Sequence, residues 1–142
     1  SIKISASSTQ DGDVISFTLN LYNYDENKPI TIKELGFPDK KHKEWVNIKQ
    51  VGNMVCLKRC SGKTLNGHFR VIHSNLNETL KYGEELCILL YDKVVERLLN
   101  STKGRSVKIA IILMGEKKFW FKISKRKITQ LITHPNCVSS SV

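Results

Sequence analysis

Val107-Lys108-Ile109-Ala110-Ile111-Ile112-Leu113-Met114-Gly115-Glu116-Lys117-Lys118-Phe119-Trp120-Phe121-Lys122-Ile123-Ser124 is the stretch whose reading decides the fold. Its first half, Val107 to Leu113, is rich in β-branched residues and apolar on both faces, as a central strand of a sheet must be. Gly115-Glu116-Lys117 turns the chain. Beyond the turn Phe119, Phe121 and Ile123 alternate with Lys118, Trp120 and Lys122, so the aromatic and aliphatic set goes inward and the Lys-Trp-Lys set goes out. This is the strongest hairpin in the chain, and a hairpin needs further strands to be stable.

Those strands are found on the N-terminal side, where strand-like alternation begins almost at once after Ser1. In Val14–Tyr22, Ile15, Phe17, Leu19 and Leu21 share one face while Ser16, Thr18 and Asn20 take the other. Asn23 to Pro29 is turn chemistry, alternation resumes over Ile30–Leu35, and Gly36-Phe37-Pro38 is expected to end that strand. Short strands are expected near Val46–Val51, Met54–Leu57 and Phe69–Ile72, separated by Gly52-Asn53 and Ser61-Gly62-Lys63. Leu80 to Glu84 reads as a turn into a buried strand, Leu86–Tyr91. Asp92 is the expected N-cap of a short helix over Lys93–Asn100, with Val94, Val95, Leu98 and Leu99 on its apolar stripe. Ile128, Leu131 and Ile132 at helical spacing predict a C-terminal helical turn before Pro135. Seven or eight short strands with so little helix predict one mainly β domain over residues 1–134, an antiparallel sandwich, followed by a flexible Ser-rich tail at 135–142.

Asn20 through Gly36, then Leu80-Lys81-Tyr82-Gly83-Glu84 through Ser124, give the order strand, Lys-Pro turn, strand ending in Leu-Gly, Leu-x-x-Gly-Glu, strand, short helix, hairpin. That order resembles the immunoglobulin-like sandwich found as an accessory domain in many bacterial proteins. The resemblance is topological, covers about two thirds of the chain, and implies an adaptor role without any active-site residue. The antibody-type Cys-Trp-Cys core is not evident, since Cys56 and Cys60 are too close in sequence to bridge two sheets.

The chain has 142 residues, 23 Lys+Arg against 13 Asp+Glu, and a formal charge of +10. The surplus is local: residues 40–75 carry +7 and 103–142 carry +8, whereas 1–39 carry −3 and 76–102 carry −2. One basic block is Lys40, Lys41, His42 and Lys43 with Lys58 and Arg59. The other is Lys117, Lys118, Lys122, Lys125, Arg126 and Lys127, interleaved with Trp120. Such a surface suits an acidic protein partner, nucleic-acid phosphates with a stacking platform, or an anionic membrane surface. A solvated sheet face whose lysines blunt an edge strand is the plainer reading.

Motifs for chemistry are few. Ser61-Gly62-Lys63-Thr64 copies the end of a P-loop, but Leu57 stands where the motif needs its first Gly. Cys56, Cys60, His134 and Cys137 could supply four zinc ligands, yet their spacing fits ordinary thiols better, so no metal and no cofactor is expected. His68 and His73 flank a short strand and read as solvent-facing. No nucleophile elbow or Cys/His signature occurs, and the acidic pairs Asp11/Asp13, Asp25/Glu26 and Glu84/Glu85 fall in turns. Asn77-Glu78-Thr79 and Asn100-Ser101-Thr102 match the glycosylation sequon, which requires a secretory route. With four cysteines, no disulfide framework, no signal-peptide pattern and no long apolar run, a reducing, cytoplasmic compartment is expected.

The leading expectation is a non-catalytic interaction module that meets a protein partner through a basic sheet face or edge. The alternatives are a nucleic-acid-binding domain using blocks 40–43, 58–59 and 117–127, and a small enzyme whose site assembles only in space.

Overall fold

In the second strand the residues at 17, 19 and 21 are completely buried, and they meet the inward side chains of a second sheet in one core. The computed structural model describes residues 2–11, 13–48, 55–60, 70–71, 76–115, 117–134 and 140–141. Its elements are β1 Ile2–Asp11, β2 Val14–Asn23, β3 Ile30–Asp39, β4 Glu44–Asn47, β5 Val55–Cys60, β6 Arg70–Val71, β7 Glu78–Leu80, β8 Glu85–Leu90, α1 Asp92–Leu99, β9 Ser106–Leu113, β10 Lys118–Ser124, α2 Lys125–Thr133 and β11 Ser140–Ser141. The protein is mainly β, and every described strand pairing is antiparallel.

One sheet runs β11-β1-β2-β8-β5-β6; the other runs β10-β9-β3-β4, with β7 beside the start of β3. Phe17, Leu19, Leu21 and Ile88 from the first face Ile32, Leu35, Phe37, Ile109, Phe121 and Ile123 from the second. Burying such side chains contributes roughly 1.5–3 kcal/mol each. Helix α1 closes one end of the core with Val94, Val95 and Leu98, and α2 adds Ile128 and Leu131. No described helix is long and apolar enough to cross a membrane.

Several boundaries differ from the sequence expectation for identifiable reasons. Strand β3 does not stop at Gly36-Phe37-Pro38 but runs to Asp39. Its register with β9 shifts between Ile32 and Glu34, and this bulge lets Ile32 and Leu35 both point inward. Pro38 is tolerated because β3 there pairs only with β4, opposite Trp45, so no second ladder needs its missing N–H. Asp92 is not the N-cap of α1. Tyr91 holds that position with no side-chain cap, and Asp92 lies in the first turn, where its charge still favours the helix dipole.

The alternation just after Ser1 becomes the first strand, which runs well beyond it. All ten residues of β1 pair with β2, including the Ser-rich stretch beyond Ala6 that carries little alternation. Small polar groups knit the outer face: Thr9 and Thr18 hydroxyls lie 2.7 Å apart, and Asn20 Nδ2 donates to Ser7 Oγ at 2.9 Å. Asn23, expected in a turn, ends β2 and is completely buried. Its amide donates to the carbonyls of Leu80 (2.8 Å) and Lys28 (2.9 Å), tying both neighbouring turns together. The turns expected at Gly52-Asn53 and 61–64, His68, His73, Cys137 and the strand ends expected at 49–51, Met54, Phe69 and Ile72 lie outside the described residues. So does the tail at 135–139 and 142, while Ser140 and Ser141 pair with Ala6 and Ser5.

Candidate binding face

The outer face of the β10-β9-β3-β4 sheet is set by register. Lys118, Trp120 and Lys122 point outward and are exposed; Phe121 and Ile123 are buried, and Phe119 is half-buried against the core. Across the ladder Lys118 faces Ile112, Trp120 faces Ala110 and Lys122 faces Lys108. The middle row continues from Ala110 to Gly36 and Asn47. With Ala110 and Gly36 as its floor, this row is shallow.

Trp45 fills the shallow row from β4. A Cβ on Gly36 would stand 2.4 Å from Trp45 Cζ2 and 2.7 Å from the Val46 carbonyl oxygen, so the absence of a side chain there is what admits the indole. Trp45 Nε1 donates to Glu34 Oε1 at 2.8 Å, and the Lys118 ammonium sits 5.4 Å from the indole centroid. That distance is in the cation–π range. The face thus carries both tryptophans of the chain, Trp45 at 39% and Trp120 at 51% exposure.

At one end of this face lies a cleft of about 460 Å³. Lys40 enters from the β3–β4 turn, Arg105 from the loop after α1, Lys108 from β9 and Lys122 from β10, with Pro38 and Ser101 among the other walls. All four cations are exposed, and no described carboxylate lies within ion-pair distance of them. Lys108 and Lys122 are direct cross-strand partners, an arrangement that like charges disfavour. The walls are nonetheless fixed. Lys40 N donates to Ser101 O at 2.8 Å, Lys125 N to Arg105 O at 2.8 Å, and Lys125 Nζ also donates to Thr102 O.

Beside the cleft, acids and cations are matched. The Asp39 carboxylate is buried and accepts from His42 N (3.1 Å), His42 Nδ1 (2.9 Å) and Arg97 Nε (3.2 Å). Burial alone would raise its pKa, but the hydrogen bonds from His42 and Arg97 outweigh it and hold the group at about 2. Arg97 also bonds Glu44. Asp39, His42 and Glu44 are close enough to one another to hold an ion, yet the Arg97 guanidinium already spans both carboxylates, so the group reads as an ion-pair cluster. It fixes the turn that carries Lys40, in which Lys43 adopts a left-handed φ of 53°.

The two basic blocks of the sequence are therefore sorted by the fold. Lys40 and Lys122 both line the cleft, and Lys118 and Trp120 lie on the adjoining face. Lys41 and Lys43 are exposed on the same turn as Lys40. Lys117 sits at the far hairpin end, 5.3 Å from the Phe119 ring centroid. Lys125 is committed to the Thr102 carbonyl, and Arg126 and Lys127 ride on α2, which packs toward β1 and β2. Lys58 and Arg59 belong to β5, in the other sheet. Arg105, Lys108 and Trp45 are additions that the charge blocks did not contain. Lys108 had a signal, as the lone charge within the apolar run of β9. Of the four thiol and imidazole positions considered for zinc, His134 caps α2 and is exposed, while Cys56 and Cys60 lie on β5.

No family model, no curated protein and no solved structure matches the chain.

Proposed function

We propose that this protein is a non-catalytic interaction module that binds an acidic protein partner through the outer face of the β10-β9-β3-β4 sheet. The observation that carries the reading is the Lys108–Lys122 cross-strand pair, joined by Lys40 and Arg105 and left without a described counter-charge beside two exposed tryptophans. Complementary charge steers association and fixes register, and tryptophan and arginine are the residues that anchor interfaces. The strand order adds support for the immunoglobulin-like resemblance. In this reading β1, β2, β8 and β5 would correspond to A, B, E and D, and β10, β9, β3 and β4 to G, F, C and C′ of a variable-type sandwich, with β6, β7 and β11 as extra pairings.

Both tryptophans lie on the proposed face, so intrinsic fluorescence reports its occupancy. Titration with polyglutamate at low salt is expected to change the emission. A Lys108→Glu/Lys122→Glu variant should lose that response, and a charge-matched Lys81→Glu/Lys93→Glu variant should keep it. Equal loss in both variants refutes a defined face.

A nucleic-acid partner is the second reading, favoured by Trp120 standing between Lys118 and Lys122 on β10. It requires that an oligothymidylate bind at least tenfold more tightly than polyglutamate, with the steep salt dependence of phosphate neutralisation.

A further inference from the structure

We infer that the cleft between the β3–β4 turn, the loop after α1 and the β9–β10 ladder receives a phosphate monoester carried on a side chain of the partner. This rests on the reading of the sheet face as a protein-binding surface and names the chemistry of its deepest contact. Four cationic residues from four separate segments line one cleft, and each brings a full positive charge. A single carboxylate offers one negative charge and two oxygens. A phosphate monoester offers about −1.5 to −2 charges and three acceptor oxygens, which better matches three ammonium groups and a guanidinium fork.

The volume fits the same ligand class. About 460 Å³ is more than a bare oxyanion fills, and it falls within the ~300–1,000 Å³ of small-ligand clefts, leaving room for the carrier side chain. The site is also organised before any ligand arrives. The Ser101–Arg105 loop is held by Lys40 N on Ser101 O and by Lys125 N on Arg105 O, so two of the four cation-bearing segments are pinned to one another through the loop. Fixing the backbone of these segments spares the part of the ordering cost that a mobile loop would add. The Lys108–Lys122 repulsion is relieved when an anion sits between them, so part of the binding energy is already stored in the unliganded ladder.

The test uses the whole chain and amide chemical shifts, with a short phosphoserine peptide, its unphosphorylated counterpart and inorganic phosphate as probes at constant ionic strength. The phosphopeptide is expected to bind at least tenfold more tightly than the unphosphorylated peptide and to shift residues 40, 101–108 and 122. Arg105→Met with Lys108→Met should weaken it by at least tenfold, and Lys81→Met with Lys93→Met should leave it unchanged. Equal affinity for the two peptides overturns the inference. So does a response to inorganic phosphate without one to the phosphopeptide, or tighter capture of a 5′-phosphorylated oligonucleotide. If polyglutamate still binds the face while the phosphopeptide does not, only this inference fails. If neither binds, the interaction reading fails with it.

Discussion

Replacing Gly36 by Ala tests how the face is built. The new Cβ meets Trp45 Cζ2 at 2.4 Å and the Val46 carbonyl at 2.7 Å, so the indole must retreat by about 1 Å to reach ordinary contact. Gly36 does not have a left-handed φ, so the penalty is steric. Overpacking of this size costs about 1–3 kcal/mol. A second estimate comes from burial. Trp45 is 39% exposed, so about three fifths of a surface of roughly 250 Å² is covered. Complete displacement would forfeit about 4 kcal/mol at ~25 cal/mol per Å², an upper bound that the partial shift will not reach. We expect a loss of about 2–3 kcal/mol, or about 6–10 °C in Tm for a chain of this size. Thermal unfolding followed by circular dichroism measures it, and the emission of Trp45 should move to the red. A double-mutant cycle isolates the cause: in a Trp45→Ala background the Gly36→Ala cost should fall by about 1–2 kcal/mol, leaving the Val46 contact. Additivity within about 0.5 kcal/mol would show that Trp45 is not what Gly36 accommodates.

Three further outcomes follow from the same geometry. The native pKa of Asp39, about 2, lies below its ordinary 3.8, so the native state binds fewer protons and stability rises with pH across that interval. Asp39→Asn should flatten the acid limb of a urea-midpoint profile between those two values, and an unchanged profile would remove Asp39 from the account. Asn23→Leu leaves the buried Leu80 carbonyl without its donor and should cost about 2–3 kcal/mol in denaturant unfolding. Lys122→Glu converts the like-charge pair with Lys108 into an opposite one and should raise stability by about 0.2–1 kcal/mol while abolishing polyglutamate capture; a destabilised variant would contradict the repulsion argument.

The parts of the fold that were legible are those whose signal is local. Strands β2, β9 and β10 declare themselves because alternation is a property of neighbouring residues, and the Lys-Trp-Lys face of β10 follows from it. Strand β1 was legible at its start, where Ile2, Lys3 and Ile4 alternate, but its Ser-rich remainder owes its place to cross-strand pairing and to hydroxyl and amide contacts with β2. Pro38 looked like a terminator because the rule against proline concerns strands with neighbours on both sides, and sequence does not say where β3 loses one. The position of Trp45 depends on a glycine across the ladder, a relation that no window along the chain contains. In the same way, +7 and +8 located the basic segments but not how the fold sorts them: Lys58 and Arg59 went to the opposite sheet, and Lys40 lines the same cleft as Lys122.

The distribution of unpaired charge is what separates a solvated face from a site. This chain matches cations where stability is at stake: Arg97 is held between Asp39 and Glu44, Lys118 covers Trp45, and Lys125 bonds a loop carbonyl. A few residues away, on the same sheet end, Lys40, Arg105, Lys108 and Lys122 line a cleft in which no described acid answers them, and two of them oppose each other directly. Simple solvation would be served as well by glutamate at either strand position, and at lower energy. Edge protection would explain Lys122 on β10 but not Lys108, which lies on the interior strand β9. Two like charges placed opposite each other at a cost in stability are what the proposed binding face accounts for and what solvation and edge protection leave unexplained.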